Sequence, residues 1–112
     1  ELERVVHIFE LVYGPGLEVA RKVVDLATVY GNEGDGVKQR DLLERALRMR
    51  EVFYGGDHVE VARTLMLLGP VYASSGEVTK QKAAMERALQ IFKIEHGQDH
   101  PSVAKALLGL AS

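Results

Sequence analysis

The chain has 112 residues, with 46% hydrophobic and 27% charged side chains, which is ordinary globular content. It has no cysteine, which excludes a disulfide framework and thiol-based metal sites. A formal charge of −2 and a sequence pI of about 6.1 speak against nucleic acid, whose phosphates call for an excess of Lys and Arg. No apolar run approaches the ~20 residues that cross a bilayer, and no signal peptide is visible, so an intracellular, cytoplasmic setting is expected.

Residues 3–14 read as a short amphipathic helix ending at Tyr13-Gly14, followed by the linker Gly14-Pro15-Gly16. A second helical pattern carries Val19-Ala20-Arg21, Val23, Leu26 and Tyr30, and stops at Asn32-Glu33-Gly34. A third carries Glu44-Arg45-Ala46-Leu47 and stops at Gly55. The patterns then return 42 residues later. Val61-Ala62-Arg63 repeats the first triplet, and Val103-Ala104-Lys105 repeats it again with one change. Tyr72 repeats Tyr30, Gly76 repeats Gly34, and Glu86-Arg87-Ala88-Leu89 repeats 44–47. Laid without gaps, residues 17–54 match 59–96 at 14 of 38 positions. A fixed period in this range marks a solenoid, whose units bury their apolar faces against their neighbours.

The unit 58–96 shows how each period folds. Val61, Leu65, Leu68 and Tyr72 are spaced by four, three and four, one face of a helix. Ala62 and Gly69 beside them admit a close helix neighbour. Asp57 and Asp99 precede first-helix starts and are expected to cap them, and Pro101 suits a first turn. Ser74-Ser75-Gly76 ends the first helix. The second runs from about Val78 to His96, with Met85, Ala88, Leu89 and Phe92 inward and Lys82, Glu86, Arg87 and Lys93 toward solvent, and Gly97 ends it. No useful β-type alternation occurs. The expected fold is all-α, a right-handed superhelical solenoid of antiparallel helix hairpins forming one repeat domain over 1–112. Residues 1–14 are a lone second helix, 15–54 and 55–96 two full repeats, and 97–112 the first helix of a further repeat. The chain therefore reads as a fragment of a longer array. Residues 3–14 align on 44–55 with an offset of 41, so the first linker is one residue short.

The spacing Leu65, Leu68-Gly69, Tyr72, Gly76 and Ala88, with its counterpart Val23, Leu26-Ala27, Tyr30, Gly34 and Ala46, resembles the tetratricopeptide repeat. The period, the Gly-Gln-Asp-His-Pro linker at 97–101 and the Glu-Arg-Ala-Leu segments resemble its kinesin-light-chain and nephrocystin-like subclass. Against the usual ~34-residue period, the added residues lengthen a hairpin by about two helical turns, ~12 Å, shared between its helices. Two departures stand out. Gln39 and Gln81 replace a small Ala of the second helix. Val24-Asp25 and Met66-Leu67 replace the paired Asn residues that hold a peptide backbone in kinesin light chains. The Asn and Lys set of a chaperone-tail carboxylate clamp is also missing.

The resemblance implies that first helices line a concave groove. Its inward positions form a basic row, Arg21, Arg63 and Lys105, an apolar row, Val24, Met66 and Leu108, and a third row, Thr28 and Pro70. Asp25 and Leu67 lie beside them. Such a groove suits a protein or peptide that is acidic with apolar residues. Alternatively, the cations form a solvated face, paired with Glu18 and Glu60 of their own helices. Pro70 falls mid-helix, where it removes the hydrogen bond to the Met66 carbonyl and clashes with it, so a kink or widened turn is expected at 66–70.

Asp57-His58 and Asp99-His100 recur and could in principle bind metal or carry a base, but their place at helix starts favours a structural role. Likewise, Tyr30 and Tyr72 are read as packing residues. His7 and His96 have no acid–base partner nearby in sequence. No Ser sits in a nucleophile elbow, and Gly31–Gly36 follows no strand. No catalytic, metal or cofactor site, no enzymatic activity, and no nucleic-acid or membrane partner is expected. The leading reading is a protein–protein interaction scaffold. The alternative is a structural spacer that stacks head to tail, with Val5, Val6, Phe9 and Val12 of one copy against Val103, Leu107 and Leu110 of the next.

Overall fold

The structure is a computed structural model that describes residues 2–13, 17–97 and 100–111. It is all-helical over these residues, with α1 Leu2–Tyr13, α2 Leu17–Asn32, α3 Gly36–Tyr54, α4 Val59–Ser74, α5 Val78–His96 and α6 Pro101–Ala111. The chain forms two compact units, Glu1–Gly55 and Gly56–Ser112. In the first, α2 packs extensively along α3 and more lightly against α1. In the second, α4 packs extensively along α5, and α6 packs on α5 with a smaller contact to α4.

Both hairpins turn the same way for the same reason. After α2, the Asp35 N–H donates to the Tyr30 carbonyl at 2.9 Å and the Gly34 N–H to the Gly31 carbonyl at 3.1 Å. After α4, Glu77 donates to Tyr72 at 2.8 Å and Gly76 to Ala73 at 3.2 Å. This paired closure of the last helical carbonyls needs a left-handed residue, and Gly34 and Gly76 supply it with φ of +85° and +78°. The stops after α3 and α5 differ. Gly55 and Gly97 combine φ of +89° and +79° with extended ψ, a region that only glycine enters readily.

The apolar stripes are buried in both units. Val19, Val23 and Ala27 of α2 and Leu42, Leu43 and Ala46 of α3 form the first core. Val61, Ala62, Leu65, Leu68 and Tyr72 meet Met85, Ala88, Leu89 and Phe92 in the second. Met85 is held in a notch made by two glycines. A Cβ at Gly69 of α4 or Gly109 of α6 would collide with its side chain, so the absent side chains set how closely these helices approach. In the first unit, Gln39 makes a close approach at a different repeat position, one that Ala73 and Gln81 occupy in the second. Its amide lies over Gly31, where a Cβ would come within 2.6 Å of the Gln39 Cδ.

Three sequence expectations need correction. α4 is α-helical at every position from Val59 to Ser74, so of the kink or widened turn expected at 66–70 the widened turn does not occur; Pro70 is exposed. Asp57 does not cap α4. His58 does, its Nδ1 accepting from the Glu60 N–H at 3.0 Å. His100 repeats the arrangement, accepting from Ser102 N–H at 3.1 Å, while its carbonyl accepts from Val103 and Ala104. An imidazole with an unprotonated Nδ1 provides the same acceptor as an Asp oxygen, one residue nearer the helix. Arg87, expected toward solvent, is half-buried and donates to the Gly56 carbonyl at 3.0 Å, which ties α5 to the connection before α4. Asp99 and the linker Gly14-Pro15-Gly16 lie outside the described residues.

Candidate protein-interaction face

In the first unit, the candidate residues share one face of α2, following the i, i+3, i+4, i+7 spacing of Arg21, Val24, Asp25 and Thr28. Arg21, Asp25 and Thr28 are exposed and Val24 is half-buried. Arg21 pairs with Glu18 one turn earlier, at 3.7 Å. The Thr28 hydroxyl donates to the Val24 carbonyl at 3.1 Å, so it is turned back on its own helix.

In the second unit, α4 presents Arg63, Met66, Leu67 and Pro70. Met66 is half-buried and the other three are exposed. Arg63 donates to Glu60 at 2.9 Å, a closer pair than its counterpart on α2. Pro70 has no N–H to offer the Met66 carbonyl. On α6, Lys105 and Leu108 are exposed. Ser102 stands three residues before Lys105, where Glu18 and Glu60 stand before the two arginines. No described carboxylate lies within ion-pair distance of Lys105, and α6 carries none of its own. The three cations are therefore not equivalent: two have partners on their own helices and the third does not.

The hairpin turns hold an arrangement that the repeat contained but that was not read from it. Lys38 lies over the Tyr30 ring, 5.1 Å from its centroid, and pairs with Asp35 at 3.7 Å. Lys80 lies over the Tyr72 ring at 5.8 Å and pairs with Glu77 at 3.8 Å. The signal was the identity of Lys38 with Lys80 one period apart, each eight residues after a tyrosine. Asp35 also caps α3, accepting from the Lys38 N–H at 3.1 Å, whereas the longer Glu77 makes no such bond to α5. Tyr72 is buried and Tyr30 half-buried, so the clasp holds the two helices of a hairpin together.

His96 ends α5 and stacks on the His100 ring, with centroids 4.0 Å apart, and on Phe92 at 6.1 Å. Among the described residues, no group of three or more His, Cys, Asp or Glu is placed to hold a metal ion. Nor, among these residues, is any helix long and apolar enough to cross a membrane.

Residues 61–102, one full period spanning α4, α5 and the start of α6, match the model of a family described as tetratricopeptide repeat. The match and the all-helical hairpins support a tetratricopeptide repeat protein. No curated protein matches the chain.

Proposed function

We propose that the chain is a protein-interaction module that holds a partner segment along the exposed faces of its first helices. The observation that carries this reading is the composition of those faces. At repeat positions where the hairpin core makes no demand, they expose Arg21, Arg63 and Lys105 with Leu67, Pro70 and Leu108. A tetratricopeptide match supports a protein–protein interaction role, since such repeats are generally non-catalytic scaffolds. The finer reading follows the kinesin-light-chain-like resemblance. In it, these faces line a concave groove, and the partner is acidic with apolar residues.

The pairs Arg21–Glu18 and Arg63–Glu60 are no obstacle to such a partner. Exposed pairs of this kind contribute about 0–1 kcal/mol, so a carboxylate of the partner can displace them at little cost. Lys105 needs no displacement. Affinity capture with quantitative mass spectrometry, followed by titration of the protein identified, tests the reading. Replacing Arg21, Arg63 and Lys105 together by Glu should abolish binding. Unchanged affinity in the triple variant would exclude the proposed faces.

A further inference from the structure

α4 has helices before and after it in the chain, so its exposed positions are not those of a terminal helix. In an α-helix, each backbone carbonyl accepts from the N–H four residues later. For Met66 that residue is Pro70, which has no N–H. α4 nonetheless stays α-helical from Val59 to Ser74, so one carbonyl within it lacks its helical donor. The nearby hydroxyls are turned elsewhere. Thr64 donates to the Glu60 carbonyl at 2.9 Å, and Ser75 to the Val71 and Tyr72 carbonyls at 3.2 and 3.1 Å. One period earlier the same position is saturated. Thr28 has an N–H to give the Val24 carbonyl, and its hydroxyl donates to that oxygen as well, at 3.1 Å.

The unpaired acceptor has a defined setting. A helical carbonyl points along the axis toward the residue four places on, and Pro70 is exposed. Arg63 and Leu67 share this face with it by i, i+4, i+7 spacing. Leu67 is 45% exposed and offers an apolar contact. Arg63 donates to Glu60, and a guanidinium has further N–H groups for a second carboxylate. A carbonyl can only accept, so it repels a carboxylate and admits an N–H. A cationic donor at that point would stand within a turn of the Arg63 guanidinium and be repelled, which leaves a neutral amide.

Resting on the reading of α4 as part of a partner-binding face, we propose that the Met66 carbonyl is its specificity point. It accepts a hydrogen bond from an Asn or Gln side chain of a bound extended segment whose Asp or Glu meets Arg63. Three to four helical residues rise about 5–6 Å, close to the ~7 Å between alternate residues of an extended chain. The acid and the amide therefore stand two residues apart in the partner. The partner is acidic at one point and must not be acidic at the next.

Fluorescence anisotropy with short labelled synthetic peptides tests this on the 112-residue chain. The peptides carry Glu-Leu-Asn, Glu-Leu-Ala or Glu-Leu-Asp, and the same three in reversed order. In one order, the Asn peptide should bind about tenfold tighter than the Ala peptide, and the Asp peptide weakest. Pro70→Ala restores the missing N–H and favours the helix, so folding is not at risk. It should erase the Asn preference, while Arg63→Glu should weaken all the peptides. Reading the ratio of Asn to Ala peptide separates the carbonyl from any loss of contact with the proline ring. Equal Asn and Ala affinities, or an Asn preference that survives in Pro70→Ala, would overturn the proposal and leave the partner-binding face standing if Arg63→Glu still weakens binding. Peptides that bind equally to wild type and Arg63→Glu, or not at all, would overturn both.

Discussion

α4 and α6 are first helices of the same unit and share a sequence frame, yet they differ in what surrounds them. On α4, Leu65 and Leu68 are buried and Arg63 is paired with Glu60. On α6, Leu107 is half exposed and Lys105 has Ser102 where the carboxylate would be. The residue type is conserved across the period; its environment is not. A repeat therefore specifies which positions can be buried, and the neighbouring helix decides whether they are.

The comparison is broken most forcefully in the core. Leu68→Ala should destabilise the second unit by about 2–5 kcal/mol, as the loss of a fully buried leucine does, whereas Leu108→Ala on exposed α6 should stay within about 0.5 kcal/mol. Urea denaturation followed by circular dichroism measures both, and equal costs would contradict the burial of Leu68 beside the exposure of Leu108.

The glycine notch gives a smaller effect. Gly69→Ala should cost about 1–3 kcal/mol because the new methyl meets the buried Met85. Most of that cost should vanish in a Met85→Ala background, and a double-mutant cycle with no coupling would place the strain elsewhere.

Cap loss comes next. His58→Ala should cost about 0.5–2 kcal/mol, while Asp57→Ala should be near neutral and His58→Asn should retain most of the stability. Thermal melts of the three variants decide between the histidine cap and the aspartate cap expected from sequence. The smallest effect is at the turn clasp, where Lys80→Met should cost about 0.5–1 kcal/mol through loss of its contact with the Tyr72 ring. Salt should shrink only the Glu77 part of that difference.

Most of the fold was legible because its determinants are periodic. The stripe Val61, Leu65, Leu68, Tyr72 and the stops at Gly34 and Gly76 recur at fixed spacing, and helical geometry turns that spacing into a face and an end. The cap was missed because Asp and His stand side by side before the helix. Composition favours Asp, while backbone geometry puts the imidazole Nδ1 of His58 within reach of Glu60. The role of Arg87 was missed for a related reason. Its acceptor, the Gly56 carbonyl, is 31 residues away and has no side-chain signature. The candidate face was expected as a set of positions, and the pairing of its arginines with Glu18 and Glu60 was one of the readings the sequence offered; the structure adds the distances, 3.7 and 2.9 Å. Pro70 costs α4 one backbone hydrogen bond, but the helices packed around it keep the segment α-helical from Val59 to Ser74, so no wider turn opens there.

The claim that the neighbouring helix, and not the residue type, decides burial is tested most directly by a matched pair of truncations at one repeat position, Leu65→Ala and Leu107→Ala, compared by urea denaturation. The account predicts a cost of about 2–5 kcal/mol at buried Leu65 and about 1 kcal/mol or less at half-exposed Leu107. Equal costs at the two positions would contradict it.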